Sequence, residues 1–248
     1  MTATRKMLNR INDDVQFYDH QVTGVRQMAK MSSFILADEM GLGKSLQALT
    51  IAAIDYERGF AKRTLIIAPS FLKWNWAEEI EKLTSYTFTI YHGTPKQRAA
   101  IRESFDSDIL ITNYEQIVND FDHLNLMDWD IVIADEAHFI KGKGSKRSKA
   151  VRKLKRGRTF LLTGSPMLNR PDELWALLNS VDASRFGRYW PFVNRFCVMG
   201  GWQSKQIVGA KNKAELKGVL SEYMVRRLKK DVLDLPDKQI IPVYVDLH

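Results

Sequence analysis

The sequence lacks the features that would place it among disulfide-rich, zinc-binding or membrane proteins. It contains one cysteine, Cys197, in 248 residues, and a single thiol supports neither a disulfide framework nor a cysteine-based zinc site. No apolar run approaches the ~20 residues of a membrane span, and residues 1–14 have no apolar core of the kind found in signal peptides. These absences predict a soluble intracellular protein with no membrane partner.

Most of the chain also lacks an excess of positive charge. The formal net charge is +8, yet residues 141–158 hold ten Lys or Arg and no Asp or Glu, while the remainder has 27 basic and 29 acidic residues. Such a concentrated basic segment indicates a phosphate backbone as partner. The alternative is a solvated helix face, since Ala150, Val151 and Leu154 provide a narrow apolar stripe.

Residues 34–45, FILADEMGLGKS, are typical of a phosphate-binding loop between a buried strand and a helix. Gly41 and Gly43 allow the backbone N–H groups to curl around a polyphosphate, where a β-carbon would obstruct the dihedrals or the ligand. The helix that follows would point its positive end at the anion. The strict motif has glycine where this chain has Asp38, so an ordinary turn before a helix is the alternative.

Four polar residues in two motifs make up the expected catalytic site. Lys44 would neutralise the β- and γ-phosphates, and the Ser45 hydroxyl would ligate Mg²⁺. A second apolar strand, in IVIADEAH at residues 131–138, delivers Asp135 to hold Mg²⁺ through water and Glu136 to orient and deprotonate the attacking water. Capping of a helix is the alternative for the two carboxylates. Two halves of one nucleotide site in the correct order favour ATP hydrolysis.

Two other segments are candidates for reading the nucleotide. Gln21 lies in a helical pattern just before the loop, and an amide can both donate to and accept from an adenine edge. Residues 163–166, TGSP, follow a strand and present two hydroxyls beside DEAH, which suits a relay that senses the γ-phosphate. A simple turn explains the glycine and the proline equally well.

Helical spacing after the strand at residues 64–68 predicts a helix with a buried face that includes Trp76 and Ile80. Trp76 is therefore expected in the core. Lys73 and Trp74 project elsewhere, and we expect both to be exposed near the start of this helix.

Strand and helix patterns alternate along the chain, which predicts an α/β fold with a mostly parallel sheet covered by helices on both faces. Residues 1–16 are expected to be loosely held. The expected divisions are a nucleotide-binding lobe at 17–181, a helical appendage at 182–235, and a final strand within 236–248 that returns to the lobe. Within the appendage, residues 200–209 are predicted to be a loop, and residues 213–232 one long or two short helices.

With these segments in place, the chain resembles the first ATPase lobe of SWI/SNF-type DNA translocases in helicase superfamily 2. Two stretches, WPFVNRFC and RRLKKDVL, are similar to its compact, annealing-helicase-like branch. The blocks that carry the resemblance are HQVTGV (20–25), DEMGLGKS (38–45), LIIAPSFLKWNW (65–76), ILITNYE (109–115), DEAHFIKGKGSKRSKAVRKL (135–154), LLTGSPMLNRPDELWALLN (161–179) and YMVRRLKKDVLDLP (223–236).

The resemblance implies a RecA-like P-loop NTPase lobe that binds ATP and Mg²⁺ and follows duplex DNA through phosphate contacts. The implied ATP-binding residues are His20, Gln21, Met40, Gly41, Leu42, Gly43, Lys44 and Ser45, with Asp135 and Glu136 for the metal and the water. His138, Thr163 and Ser165 would couple the nucleotide state to DNA. Pro69, Ser70, Lys73, Thr112 and Asn113 would lie along the DNA backbone.

In motors of this family a second lobe supplies arginines to the γ-phosphate, worth roughly 10³- to 10⁵-fold in rate, and no block of this sequence resembles that lobe. We therefore expect little turnover without a second RecA-like lobe, present in cis if the chain is a fragment or in trans. Two alternatives stay open. The first is a non-hydrolysing module that binds ATP and DNA and acts as a scaffold or as a competitor of intact motors. The second is the lobe of an RNA helicase.

Overall fold

A seven-stranded parallel sheet is the centre of the structure, a computed structural model that describes residues 9–166, 170–201 and 206–233. Its strands are β1 (Phe34–Leu36), β2 (Thr64–Ala68), β3 (Phe88–Ile90), β4 (Ile109–Asn113), β5 (Trp129–Ala134), β6 (Arg156–Leu162) and β9 (Met224–Val225). They lie in the order β3-β4-β2-β5-β6-β1-β9. Each neighbouring pair in this sheet is parallel, as predicted.

Helices cover both faces of the sheet. Successive strand residues alternate between two cores, with Ile35 and Leu65 in one and Phe34 and Ile66 in the other, so the strands are apolar throughout. The helices are α1 (Asp19–Met28), α2 (Lys44–Glu57), α3 (Lys73–Leu83), α4 (Pro95–Glu103), α5 (Tyr114–Asn119), α6 (Phe121–Asn125), α7 (Lys146–Lys153), α8 (Glu173–Val181), α9 (Tyr189–Phe196), α10 (Lys213–Tyr223) and α11 (Lys229–Val232). Among the described residues, none of these helices could span a membrane.

The segment predicted as a helical appendage is not helical throughout. Residues within the predicted loop at 200–209 belong to an antiparallel hairpin of β7 (Cys197–Gly200) and β8 (Gln206–Ala210). Of the two alternatives for residues 213–232, the structure has two helices, α10 and α11, and the strand β9 between them, which the sequence did not predict, pairs with β1 in the main sheet. Val225 is buried there, and pairing with the open side of β1 overrides the helical pattern. The strand predicted within 236–248 lies outside the described residues.

Residues 9–16 pack on the lobe, contrary to the prediction that residues 1–16 are loosely held. Ile11 and Val15 are buried. Ile11 forms an antiparallel bridge with Thr84, and Asn12 N–H donates to the Leu83 carbonyl at 3.0 Å. The burial of Ile11 and Val15 explains why this segment is attached to the lobe. Two apolar residues in a short polar segment form no pattern from which this burial could be predicted. Residues 1–8 lie outside the described ranges.

A buried ion pair fastens the segment after β9 to the start of the phosphate loop (residues 38–45). The Asp38 carboxylate is fully buried, and it accepts from the Arg227 backbone N–H at 2.9 Å and from Arg227 Nε at 3.0 Å. Gln47 Nε2 donates to its other oxygen at 3.2 Å. The Arg227 guanidinium also donates to Gln47 Oε1 at 2.6 Å and to the His20 carbonyl. Asp38 thus joins β1, α1, α2 and the C-terminal segment.

We expect Arg227→Ala to lower the free energy of unfolding by about 3–5 kcal/mol, because it leaves a buried carboxylate without its cation. Urea unfolding of the whole chain measures this change. Lys230→Ala, in the same segment but exposed, is the control and should change stability by about 0.5 kcal/mol or less. Equal effects of the two substitutions would contradict the anchoring role of Arg227.

Candidate nucleotide site and nucleic-acid edge

The predicted functional residues meet at one edge of the sheet. Strands β1, β2, β4, β5 and β6 run in parallel, so their carboxyl ends lie together, which is where ligands bind in open α/β sheets. The phosphate loop follows β1, and Asp135 follows β5. Thr163 comes directly after β6 and donates its N–H to the Leu36 carbonyl at 3.0 Å.

The phosphate loop has the backbone that its glycines predict. Gly41 and Gly43 have φ angles of 81° and 69°, in the region that favours glycine, and Gly43 caps α2. A β-carbon at Gly43 would collide with the side-chain nitrogen of Gln21. Gln21 Nε2 donates to the Leu42 carbonyl at 3.3 Å, and His20 Nε2 lies 3.3 Å from the same oxygen. The structure therefore brings His20 and Gln21 to the loop.

The Gln21 amide is occupied within the protein. Its oxygen accepts from the Tyr18 N–H at 3.0 Å, while its nitrogen donates to Leu42. Only 4% of Gln21 is exposed. Contact with an adenine edge would require one of these bonds to exchange, so base reading by Gln21 stays a prediction.

Lys44 lies between the loop carbonyls and the site's carboxylates. Its ammonium donates to the Asp38 carbonyl at 3.1 Å and to the Glu39 carbonyl at 3.5 Å. Burial lowers the pKa of Lys44, and the charges of Glu136, Asp135 and Asp38 oppose that decrease. The cation is thus half-buried and close to three carboxylates, while the charge of Lys229 adds to the decrease of its pKa.

Asp135 is held in place by an indole. Trp76 Nε1 donates to Asp135 Oδ2 at 2.9 Å, and the Glu136 N–H donates to Oδ1 at 2.8 Å. Burial raises the pKa of Asp135, and these two hydrogen bonds oppose the rise. Trp76 is buried, as predicted, but its contact with the acidic motif was missed, because helical spacing identifies a buried face without revealing what its polar atoms contact. Tyr114, which directly follows β4, donates its hydroxyl to the Asp135 carbonyl at 2.6 Å.

Glu136 adopts a backbone conformation that is uncommon for a residue with a side chain. Its φ angle is 47°, in the left-handed region where strain concentrates at functional sites. His138 Nδ1 lies 3.0 Å from Glu136 Oε2, without the alignment of a hydrogen bond. The structure therefore places one predicted coupling residue beside the predicted base.

The other predicted coupling residues lie in the TGSP segment, residues 163–166. Thr163 is buried, and its hydroxyl accepts from the Ser165 N–H at 3.1 Å. A β-carbon at Gly164 would lie 3.1 Å from the Met40 side chain. This segment is thus in contact range of the phosphate loop.

The oxygen groups near the loop fit Mg²⁺. Ser45 supplies a hydroxyl and Asp135 a carboxylate, the hard ligands that Mg²⁺ prefers. Glu79, on α3, is a third acidic neighbour. Burial raises the pKa of Glu79, a hydrogen bond with the Ser45 hydroxyl opposes the rise, and the Asp135 charge adds to it. Within the described residues no cluster of three His, Cys, Asp or Glu forms a metal cage, so phosphate oxygens and water would complete the coordination.

Four of the five residues predicted to contact DNA lie at the ends of adjacent strands. Ala68 of β2 pairs with Asn113 of β4, and Asn113 Nδ2 donates to the Ser70 hydroxyl at 2.7 Å. Ser70 is exposed, whereas Pro69 and Thr112 are buried. The structure therefore brings these four residues together, with Ser70 the most accessible.

Lys73 does not present its charge at this edge, contrary to the prediction that it is exposed. It is buried and donates its ammonium to the Tyr91 carbonyl at 3.3 Å. Burial lowers the pKa of Lys73, and the Glu115 charge opposes the decrease. The reason is helical geometry, because Lys73 lies three and seven residues before Trp76 and Ile80 on the same buried face of α3. Trp74 is exposed, as predicted.

Much of the basic segment, residues 141–158, is used inside the lobe. Arg147 pairs with Glu115 at 2.5 Å, Arg158 pairs with Asp55, and Lys141 pairs with Glu173 at 3.3 Å. Arg152 stacks over the Trp175 ring at 4.7 Å. Burial lowers the pKa of Arg156 to about 10, which leaves it charged while it donates to the carbonyls of Val151, Leu154 and Ser180.

The remaining exposed lysines of the segment lie largely on one helix face. Lys146, Lys149 and Lys153 are exposed on α7, and Lys155 follows it. Their spacing of three and four residues puts the first three on one side of the helix. Several arginines of the segment are therefore structural, while its lysine face is open to solvent. That face is compatible with both expectations, a contact with a phosphate backbone and a solvated helix face.

Comparison with known proteins agrees with this architecture. The family model of the SNF2-related domain matches residues 20–248. The chain is 33% identical to TATA-binding protein-associated factor mot1 of Schizosaccharomyces pombe, over 96% of this chain and 13% of that protein. It is 33% identical to the ISWI chromatin-remodeling complex ATPase CHR11 of Arabidopsis thaliana, over 89% and 22%. It is 34% identical to the human DNA annealing helicase and endonuclease ZRANB3, over 82% and 20%.

These nearly equal identities do not single out the annealing-helicase-like branch, and the chain spans less than a quarter of each of these relatives. Among solved structures, the Sulfolobus solfataricus SWI2/SNF2 ATPase core in complex with dsDNA superposes with a TM-score of 0.76 at 29% identity, over 90% of this chain and 46% of that one. The chain therefore belongs to the SNF2-related domain family, and it has the RecA-like fold of the first lobe of an SWI/SNF-type ATPase in helicase superfamily 2.

Proposed function

We propose that this chain is the ATP-binding lobe of a DNA-dependent ATPase that translocates on or remodels duplex DNA. The observation that carries the proposal is that Lys44, Asp135 and Glu136 lie close enough together for the charges of both carboxylates to act on the Lys44 ammonium. These residues come from separate strand ends. A cation beside paired carboxylates at a glycine loop is the arrangement that phosphoryl transfer requires.

In this proposal each residue has a defined task in hydrolysis. Lys44 exchanges the loop carbonyls for the β- and γ-phosphates. Ser45, and Asp135 through water, hold Mg²⁺, which when bound neutralises charge that develops on the phosphates. Glu136 orients the attacking water and accepts its proton. His138, with Thr163 and Ser165, passes the state of the γ-phosphate to the DNA-binding edge.

The proposed DNA contacts are to phosphates. Pro69, Ser70, Thr112 and Asn113 lie at the ends of β2 and β4. The exposed Ser70 hydroxyl would exchange its bond to Glu115, and the Asn113 amide its bond to Ser70, for phosphate oxygens. Lys73 would contribute only after turning outward. The solved Sulfolobus relative was determined with dsDNA bound, which supports duplex DNA over single-stranded RNA as the polymer.

We also propose that turnover requires a second RecA-like lobe, supplied in cis or in trans. The chain covers 46% of the solved ATPase core. An arginine finger from such a lobe would contribute roughly 10³- to 10⁵-fold in rate. This chain would then supply Lys44, Asp135 and Glu136, and the second lobe would supply the arginine.

The first test is ATP binding and turnover by this chain, with and without duplex DNA. We expect measurable ATP binding, turnover close to background, and loss of binding in Lys44→Ala, because the phosphates lose their main cation. Calorimetry measures binding, and phosphate release measures turnover. Strong DNA-stimulated turnover by the chain alone would contradict the need for a second lobe. Equal binding by the wild type and Lys44→Ala would contradict the nucleotide site itself.

Glu136→Gln should separate binding from chemistry in the complete motor. The amide keeps the size of the side chain but accepts no proton, so ATP affinity should stay within about twofold while turnover falls by at least about 10²-fold. Single-turnover hydrolysis with duplex DNA or single-stranded RNA in parallel gives the rate and identifies the polymer. A normal rate in this variant would refute Glu136 as the base, and stronger stimulation by RNA would favour the RNA helicase alternative.

The exposed lysine face of α7 offers a test of the charge argument. If Lys146, Lys149 and Lys153 contact phosphates, their joint replacement by Gln should reduce the slope of log K against log salt by roughly 0.9 per lost contact. The matched control is the triple replacement of Lys30, Lys62 and Lys82, which are exposed and precede strands at the opposite edge of the sheet. An unchanged slope in the α7 variant would make this face a solvated surface.

A further inference from the structure

Helix α3 approaches the proposed metal site with two side chains from one face. Trp76 and Glu79 are three residues apart and therefore adjacent on the helix surface. Trp76 donates to the Asp135 carboxylate at 2.9 Å, and Glu79 lies close enough to the Ser45 hydroxyl for that hydroxyl to oppose the rise of the Glu79 pKa. Each of the two expected metal ligands thus has a neighbour on the same helix.

The chemistry of a hydroxyl ligand explains why Ser45 needs an acidic partner. When a serine oxygen faces a cation, its hydrogen must point away from the metal and requires an acceptor. A carboxylate is an acceptor with four lone-pair sites. Glu79 can therefore fix the rotation of the Ser45 hydroxyl so that its own lone pairs face the metal.

Glu79 Oε2 is buried and has no hydrogen-bond partner in the part of the chain that the structure describes. A buried acceptor without a donor is costly, and it lies beside Ser45 and Asp135, which both influence Glu79 electrostatically. A water molecule in the coordination sphere of Mg²⁺ is a donor of the right kind for this atom.

The charges near the site lead to the same conclusion. Asp135, Glu136 and Glu79 are acidic, and the cations beside them are Lys44 and Lys229, whose charges act on each other. Three carboxylates with two ammonium groups leave an excess of negative charge in a partly buried site, and a divalent cation would offset it.

We propose that Glu79 is a positioning residue for the ATP-bound Mg²⁺, an inference that rests on the proposed function. Glu79 would orient the Ser45 hydroxyl and accept a hydrogen bond from a metal-bound water. It touches neither the phosphates nor the attacking water. Groups that hydrogen-bond to metal ligands typically change metal affinity by roughly 10- to 100-fold. Glu79 therefore acts on the Mg²⁺ dependence of ATP binding and not on ATP binding as such.

The test compares ATP affinity in EDTA with affinity in excess Mg²⁺, measured by calorimetry on the whole chain. Glu79→Ala should weaken binding in Mg²⁺ by roughly tenfold or more. In EDTA its affinity should equal or exceed that of the wild type, because a negative charge near the phosphates is removed. A merely structural defect would weaken binding in both conditions, and that result, or unchanged binding in Mg²⁺, would overturn the proposal.

Two matched variants complete the design. Glu78→Ala removes the same charge from the preceding, exposed position of α3 and should leave both affinities unchanged. Glu79→Gln keeps the volume of the side chain and should shift the Mg²⁺ dependence in the same direction as alanine, so it decides the matter if the alanine variant does not fold. An unshifted Mg²⁺ dependence in Glu79→Gln would then overturn the proposal.

Lys44→Ala separates this inference from the function on which it rests. Loss of binding in Lys44→Ala together with wild-type behaviour in Glu79→Ala would overturn the role of Glu79 and leave the nucleotide site intact. If the wild type bound ATP neither in EDTA nor in excess Mg²⁺, both the proposed nucleotide site and the role of Glu79 would be overturned.

Discussion

The buried Asp38 carboxylate is the constraint on which the phosphate loop depends. A charge removed from water must be paired and hydrogen-bonded or it destabilises the fold by several kcal/mol. Asp38 obtains its donors from Gln47 on the helix after the loop and from Arg227 beyond β9. The loop is thus fixed at its first residue, while Gly41 is exposed and Gly43 lies against the Gln21 side chain. The acidic residue that departs from the strict glycine motif is therefore the loop's anchor.

Around this anchor the site is built from buried polar groups that would be costly if left alone. Asp135 is satisfied by the indole of Trp76 and by a backbone N–H, and Lys44 by loop carbonyls. The partners of Asp135 hold its carboxylate at the end of β5 before any ligand arrives, whereas Lys44 would exchange its loop carbonyls for phosphates. Preorganisation of this kind is the usual source of electrostatic catalysis, because no reorientation is needed during the reaction.

The sequence predicted the parallel sheet and the backbone of the phosphate loop well, because both depend on local signals. Strands buried on two faces appear as short apolar runs, and the two motif residues Gly41 and Gly43 do have positive φ angles. The errors concern distant partners. The pairing of β9 with β1 and the attachment of Ile11 at Thr84 join segments far apart in the chain. Lys73 differs from its prediction because it lies on the same buried face of α3 as Trp76 and Ile80.

The distance along the chain between Asp38 and Arg227 has a consequence for how the lobe forms. The two residues are 189 positions apart, so this contact closes a very long loop, and long-range closure slows folding. During synthesis the phosphate loop is made early, but Asp38 stays without Arg227 until nearly the whole lobe has left the ribosome. Nucleotide affinity should therefore arise late and together with the complete sheet, which makes ATP a ligand of the finished lobe and not of its early intermediates.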